Sequence, residues 1–122
     1  MDSPTPITEP TAAGICSALG LNVFYPGDGA REVKGAVVGD LLSHVLTEAR
    51  ENWLWVTVHT HLNVAAVAVV KGIPLVILVS GREPQEDLKK KCAEEGIALA
   101  NTSLSCYELC RRLGRLGVGG PE

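Results

Sequence analysis

From Leu75 to Val79 the chain reads Leu-Val-Ile-Leu-Val, an unbroken apolar run that stops at Ser80-Gly81-Arg82-Glu83-Pro84. A run of this length, rich in β-branched side chains and closed by Gly and Pro, reads as a strand buried in a parallel sheet. Parallel neighbours cannot be joined by tight turns, so the flanking sequence must supply crossover helices. The polar loop after the run then falls at the carboxyl end of a strand, the edge where open α/β sheets bind ligands.

The rest of the chain fits this demand. Thr8 is placed to cap a first helix carrying Ala12, Ile15, Cys16 and Leu19, which Gly20 ends. Asn22 to Tyr25 reads as a short strand and Pro26-Gly27-Asp28-Gly29 as a turn. Val33 to Val38 reads as the next strand, weakened by Gly35. Asp40 is a natural N-cap for a helix with the apolar stripe Leu41, Leu42, Val45, Leu46 and Ala49. Trp53 to His59 alternates as a third strand. Val64 to Lys71 is apolar nearly all round; it reads as a buried helix, although its valines suit a strand equally. A helix from Pro84 to about Glu95 turns Leu88, Cys92 and Ala93 inward and Lys89, Lys90 and Lys91 mostly outward. Ile97 to Ala100 is a further strand. Ser105 and Glu108 make a capping box for a last helix striped by Cys106, Leu109, Cys110, Leu113 and Leu116 and stopped at Gly117. The fold class is α/β: one domain over residues 8–117, with a mostly parallel four- to five-stranded sheet and packed helices. Residues 1–7 read as a disordered leader and 118–122 as a frayed tail.

At 122 residues, 46% hydrophobic and 20% charged, the chain has the size and composition of one globular domain that needs no disulfide or metal to fold. Its formal net charge is −3 and no basic block occurs, which argues against nucleic acid as a partner. Met1-Asp2-Ser3-Pro4 lacks the pattern of a signal peptide. The longest mostly apolar run, Val64 to Val79, is broken by Lys71, Gly72 and Pro74 and is too short to cross a bilayer, so no membrane partner is expected. A cytoplasmic protein with Cys16, Cys92, Cys106 and Cys110 as reduced thiols is expected.

No catalytic motif stands out and no cofactor is implied. Gly27-Asp28-Gly29 begins like a dinucleotide fingerprint, but Glu32 occupies the position of its third glycine. Ser43-His44 lies mid-helix, and no Gly-x-Ser-x-Gly occurs. His59-Thr60-His61 puts two imidazoles on one side of an extended segment. They are weak candidates for a metal, because a tight site needs further ligands, with Asp40 and Glu83 the nearest choices; otherwise they hydrogen-bond the loops or a ligand. Cys106 and Cys110, four apart on a helix, read either as core thiols or as a ligand pair. Arg82 is placed to clamp an anion with help from the Gly81 amide and the following helix, or to pair with Glu83 on the surface.

Leu75 to Leu113 resembles a known family. The strand ending at Ser80-Gly81-Arg82-Glu83-Pro84, the helix to Glu94-Glu95-Gly96-Ile97, and Thr102-Ser103-Leu104-Ser105 with its closing helix are similar to the DRTGG domain. The version most alike is the N-terminal domain of HPr kinase/phosphorylase. Gly35-Ala36-Val37-Val38-Gly39-Asp40-Leu41-Leu42 resembles stand-alone members, so the likeness spans about Thr8 to Gly117. The resemblance implies a self-associating regulatory or ligand-binding attachment. Two family signatures depart: His61-Leu62-Asn63 stands where the Asp-Arg pair belongs, and Val79-Ser80-Gly81 where Thr-Gly-Gly belongs. No Gly-x-x-x-x-Gly-Lys-Ser/Thr loop occurs, so the kinase chemistry of that enzyme's separate domain is not expected.

Together these features describe a non-catalytic cytosolic regulatory domain, a homodimer, binding an anionic small molecule such as a nucleotide. Its site gathers the polar strand ends: Asp40, His59, His61, Asn63, Ser80, Gly81, Arg82, Glu83, Asn101, Thr102 and Ser103. The alternative is a protein-interaction or assembly subunit of a larger enzyme complex, with Val64 to Val70 or a sheet edge as the contact.

Overall fold

The computed structural model describes residues 10–120. Ten elements alternate along the chain: α1 (Ala12–Leu19), β1 (Asn22–Tyr25), β2 (Gly35–Val38), α2 (Leu42–Glu48), β3 (Trp53–Thr57), α3 (Asn63–Lys71), β4 (Leu75–Leu78), α4 (Glu86–Glu95), β5 (Ala98–Asn101) and α5 (Cys106–Leu116). The five strands form one sheet in the order β1-β5-β4-β3-β2. β2 through β5 are parallel neighbours in chain order, and β1 closes the far edge antiparallel to β5.

Because the parallel strands advance in one direction, right-handed crossovers must lay α2, α3 and α4 on the same face. They do so: Val45, Val64, Ala68, Leu88 and Cys92 pack on Val37, Trp55, Val76, Leu78 and Leu99. The opposite face carries α1 and α5, with Ile15, Leu109, Leu113 and Leu116 against Leu54, Val56, Leu75 and Ile77. Every residue of β4 is fully buried, as a central strand covered on both faces requires.

Several local expectations are revised. The N-cap of α1 is Thr11, whose hydroxyl accepts the Gly14 N–H at 3.0 Å; the leader and Thr8 lie outside the described residues. Asp40 is not a cap: α2 starts one residue later than a cap there would set, from an extended Leu41 with no side-chain cap bond. The valine-rich segment is a helix, but its outer face is open, leaving Val69 and Val70 exposed. Ala93 is exposed, because only Leu88 and Cys92 of α4 reach the sheet. Ser105 caps α5 through the Glu108 N–H, but the Glu108 carboxylate turns to Arg111 and Arg112 rather than back to the cap. The stretch after Gly117 is held rather than frayed as far as it is described: Val118 is buried in the core, and the Gly119 carbonyl accepts the Ala36 N–H of edge strand β2 at 2.8 Å.

Candidate functional site

The carboxyl ends of β2 to β5 lie on one edge of the sheet, and four loops meet there. The Gly39 N–H bonds to the Val56 carbonyl, Val79 N–H to Thr57, and Gln85 N–H to Thr60, so the loops after β2, β3 and β4 form one ledge. The expected residues are thus placed on a common rim. Asp40, His61, Asn63, Ser80, Gly81, Arg82, Glu83 and Ser103 are exposed, and His59 and Thr102 are half-buried.

After β4 the chain leaves toward the α4 face; after β5 it leaves toward the α5 face. Such a divergence between neighbouring strands opens a crevice in doubly wound sheets. Here the crevice is stitched shut. The Ser80 N–H donates to the Leu104 carbonyl and the Gly81 N–H to Thr102, both at 2.8 Å. Asn101, 6% exposed, donates from Nδ2 to the Arg82 carbonyl at 2.8 Å and accepts from Asn22 Nδ2 at 3.1 Å. Ser80 and Gly81 both adopt left-handed φ, +59° and +68°, and the Arg82 N–H returns to the Val79 carbonyl at 3.2 Å. This is the geometry of a tight turn with two left-handed central residues. The Gly81 amide is therefore engaged within the protein. The first turn of α4 already carries Glu86 and Asp87, which offset its dipole.

The cationic side chain this rim offers an anion is Arg82. It is exposed and forms no ion pair among the described residues, so the alternative of a surface bridge to Glu83 is not realised. Glu83 instead accepts a long bond, 3.4 Å, from Asn101 Nδ2. His59 and His61 meet edge to face with ring centroids 5.2 Å apart, and His59 Nε2 is buried without a hydrogen-bond partner. Among the described residues no group of three or more His, Cys, Asp or Glu could hold a metal ion, so neither Asp40 nor Glu83 completes a site with the two imidazoles.

Beside the rim lies a cleft of about 200 Å³ walled by Val38, Val56, Val58, Val79 and Cys106, with Asp40 and Thr57 at its polar end. The sequence reading named Asp40 but not the rest, because nothing local signals that α5 starts above the ends of β2 and β3. A second cleft of about 180 Å³ continues past Val38 to Cys110, Leu113 and the Val118–Gly120 segment. The two thiols are half-buried along this seam and pack against the core; burial, followed by the neighbouring Cys106, pushes the Cys110 thiol up to about 11. A wider groove, about 440 Å³, lies away from the rim between α1 and β1 and is lined by Ala13, Cys16, Leu21, Val23 and neighbours.

No family model and no curated protein matches this chain. A solved structure does: the CBS and DRTGG domains of the regulatory region of Clostridium perfringens pyrophosphatase, complexed with the activator diadenosine tetraphosphate. The TM-score is 0.73 at 13% sequence identity, over 88% of this chain and 47% of the other. The chain thus spans about half the length of that regulatory region. At this identity the likeness is one of fold, and it supports the DRTGG-related architecture that the sequence resemblance implies. Among the described residues, no helix is long and apolar enough to cross a membrane.

Proposed function

We propose that this domain is a non-catalytic, cytosolic regulatory module that self-associates and takes an anionic nucleotide on its strand-end rim. The observation that carries the reading is Arg82, an exposed cation with no ion pair among the described residues, on a ledge where the Ser80 and Gly81 amides are engaged within the protein. A guanidinium with no ion pair, on the same sheet edge as two imidazoles, fits a phosphate group. The adjoining cleft fits the rest: its apolar walls suit a flat base, and it meets the rim at Asp40 and Val79. At about 200 Å³ it is smaller than the usual range for an enclosing ligand pocket, so the ligand lies across the edge with its phosphates on the rim. The fold shared with a regulatory region crystallised with diadenosine tetraphosphate supports a regulatory role over a catalytic one. The chain carries no phosphate-binding loop of the kind that phosphoryl transfer in nucleotide-dependent enzymes uses.

Isothermal titration calorimetry with diadenosine tetraphosphate, AMP, ATP and inorganic phosphate tests the reading. Saturable binding of an adenine nucleotide with no ATP turnover supports it. Absence of heat up to millimolar nucleotide, or turnover of ATP by the purified domain, overturns it. The second reading, an assembly module for a larger enzyme, is favoured by one feature, the exposed apolar side chains of Leu41, Leu46, Leu62, Val69 and Val70 on or at the start of α2 and α3.

A further inference from the structure

Cys106 and Cys110 stand at positions i and i+4 on one face of α5, where Cβ atoms lie about 5–6 Å from each other. Both are half-buried at the margin of the core, whereas Cys16 and Cys92 are buried. Cys106 lines the cleft that opens at Asp40, and Cys110 lines the cleft that runs on to Gly120. The two clefts meet at Val38, so the pair flanks one seam between α5 and edge strand β2, reachable from solvent. The thiols also interact directly, through a hydrogen bond between the Cys106 and Cys110 side chains.

Two sulfurs so placed are a donor set for a soft cation. A metal–thiolate bond is about 2.3 Å long, so a cation between them sets the sulfurs roughly 4–4.6 Å apart, which side chains at i and i+4 reach without unwinding the helix. The number of donors then decides the metal. Among the described residues no group of three or more His, Cys, Asp or Glu could hold an ion, so a zinc site with its three or four protein ligands is not available here. Magnesium and calcium take oxygen ligands. Two thiolates alone suit Cu(I), a soft closed-shell cation that accepts two sulfurs in line. Asp40, the carboxylate on the Cys106 cleft, is a hard donor that such an ion does not need. The walls agree with this choice: Val38, Val56 and Val79 beside Cys106, and Leu113 and Val118 beside Cys110, surround the seam with apolar groups. Cys106 is also the first residue of α5, so the net negative charge of a dithiolate complex lies at the positive end of the helix dipole.

We infer that Cys106 and Cys110 form a cuprous-ion site, a two-coordinate dithiolate that spans the first turn of α5. It does not depend on the nucleotide reading. Binding exchanges two thiol protons for the ion, Cu⁺ + 2 RSH → [Cu(SR)₂]⁻ + 2 H⁺, with both protons passing to solvent and no change of oxidation state.

The whole chain, reduced and kept free of oxygen, is titrated with Cu(I) against the chelator bicinchoninate. The wild type should retain one ion per chain, with a thiolate-to-copper band in the ultraviolet and two sulfur neighbours by X-ray absorption. Cys106→Ser and Cys110→Ser should each weaken retention at least ~tenfold and remove the band, while Cys16→Ala should change neither. Circular dichroism checks that the variants are folded; if Cys110→Ser is not, Cys106→Ser at the first helical position carries the test. The inference is overturned if the wild type retains no copper, or if a folded serine variant retains it undiminished. Three or more protein ligands around the ion, or sedimentation showing copper held between two chains, overturns it equally.

Discussion

The side chain of Asn101 donates to the main-chain carbonyl of Arg82 at 2.8 Å, tying the end of β5 to the loop that carries the exposed Arg82 guanidinium, which makes no ion pair among the described residues. The same amide reaches Glu83 Oε2, and its oxygen accepts from Asn22 on β1. One buried side chain therefore sets the position of Arg82 without touching its guanidinium.

Replacing Asn101 by Ala leaves the Arg82 carbonyl and Asn22 without these partners and should cost about 1–3 kcal/mol. Asn101→Asp should cost more, because a carboxylate would face the Arg82 carbonyl and the Glu83 carboxylate where a donor now sits. Urea denaturation of both variants checks the order. Equal stability of Asn101→Asp and wild type would remove this amide from the account of the loop.

Arg82 itself should behave oppositely. Its side chain is exposed and makes no ion pair or hydrogen bond among the described residues, so Arg82→Ala should change stability by less than about 0.5 kcal/mol. The same change should weaken nucleotide binding more than ~tenfold if the rim is the site, since a charge-assisted pair to phosphate is lost. Lys90→Ala, on the solvent side of α4, should do little. Equal affinities of wild type and Arg82→Ala in calorimetry would move the site elsewhere.

Much of the architecture was legible because it is written in side-chain periodicity. The apolar run at Leu75 to Val79 fixed a central strand, and Gly20, Gly72, Gly96 and Gly117 each end a helix in the left-handed conformation the sequence suggests. The arrangement of the rim was less legible, since the contacts that decide it run through the main chain. Nothing in Ser80 or Gly81 announces that their amides bond to Leu104 and Thr102. Gly119 likewise carries no side-chain mark of its bond to Ala36, so a segment without periodicity looks frayed. The antiparallel placing of β1 depends on a partner nearly eighty residues away, Asn101 opposite Asn22. Asp40 failed as a cap because the cap is the last extended residue before the helix, a position fixed by the backbone as well as by residue type, and Leu41 takes it.

Glu108 gives a pH signature on α5. Hydrogen bonds from Arg111, then Arg112, hold its carboxyl down to about 2 from an ordinary 4.5. A depressed folded-state value means that the ionised group stabilises the fold above pH 4.5 and that this contribution disappears as pH falls through about 2. Wild type should therefore melt above Glu108→Gln at pH 7. The two should converge between pH 4.5 and about 2, and added salt should narrow the gap at neutral pH because these groups are partly exposed. A melting difference that persists unchanged at pH 2 would assign the effect to something other than this carboxylate.

Gly35 looks like a weak point of β2 in the sequence, and the structure gives it a reason. It pairs in register with Trp53 of β3, and the indole lies across the place where a Cβ would stand. A methyl group there would come within 2.6 Å of Cε2 and 2.7 Å of Nε1. The ring is rigid and has Arg50 over it at 5.9 Å, so it cannot yield as a flexible side chain would. Gly35→Ala should therefore destabilise the domain by about 1–3 kcal/mol, although alanine normally improves a strand over glycine. The cause can be isolated with a double-mutant cycle. In a Trp53→Leu background the same Gly35→Ala change should cost far less, because the obstruction has gone. Urea midpoints of the four proteins decide it: additive losses, with Gly35→Ala equally harmful when residue 53 is leucine, would place the role of Gly35 in its own backbone and not beneath the indole.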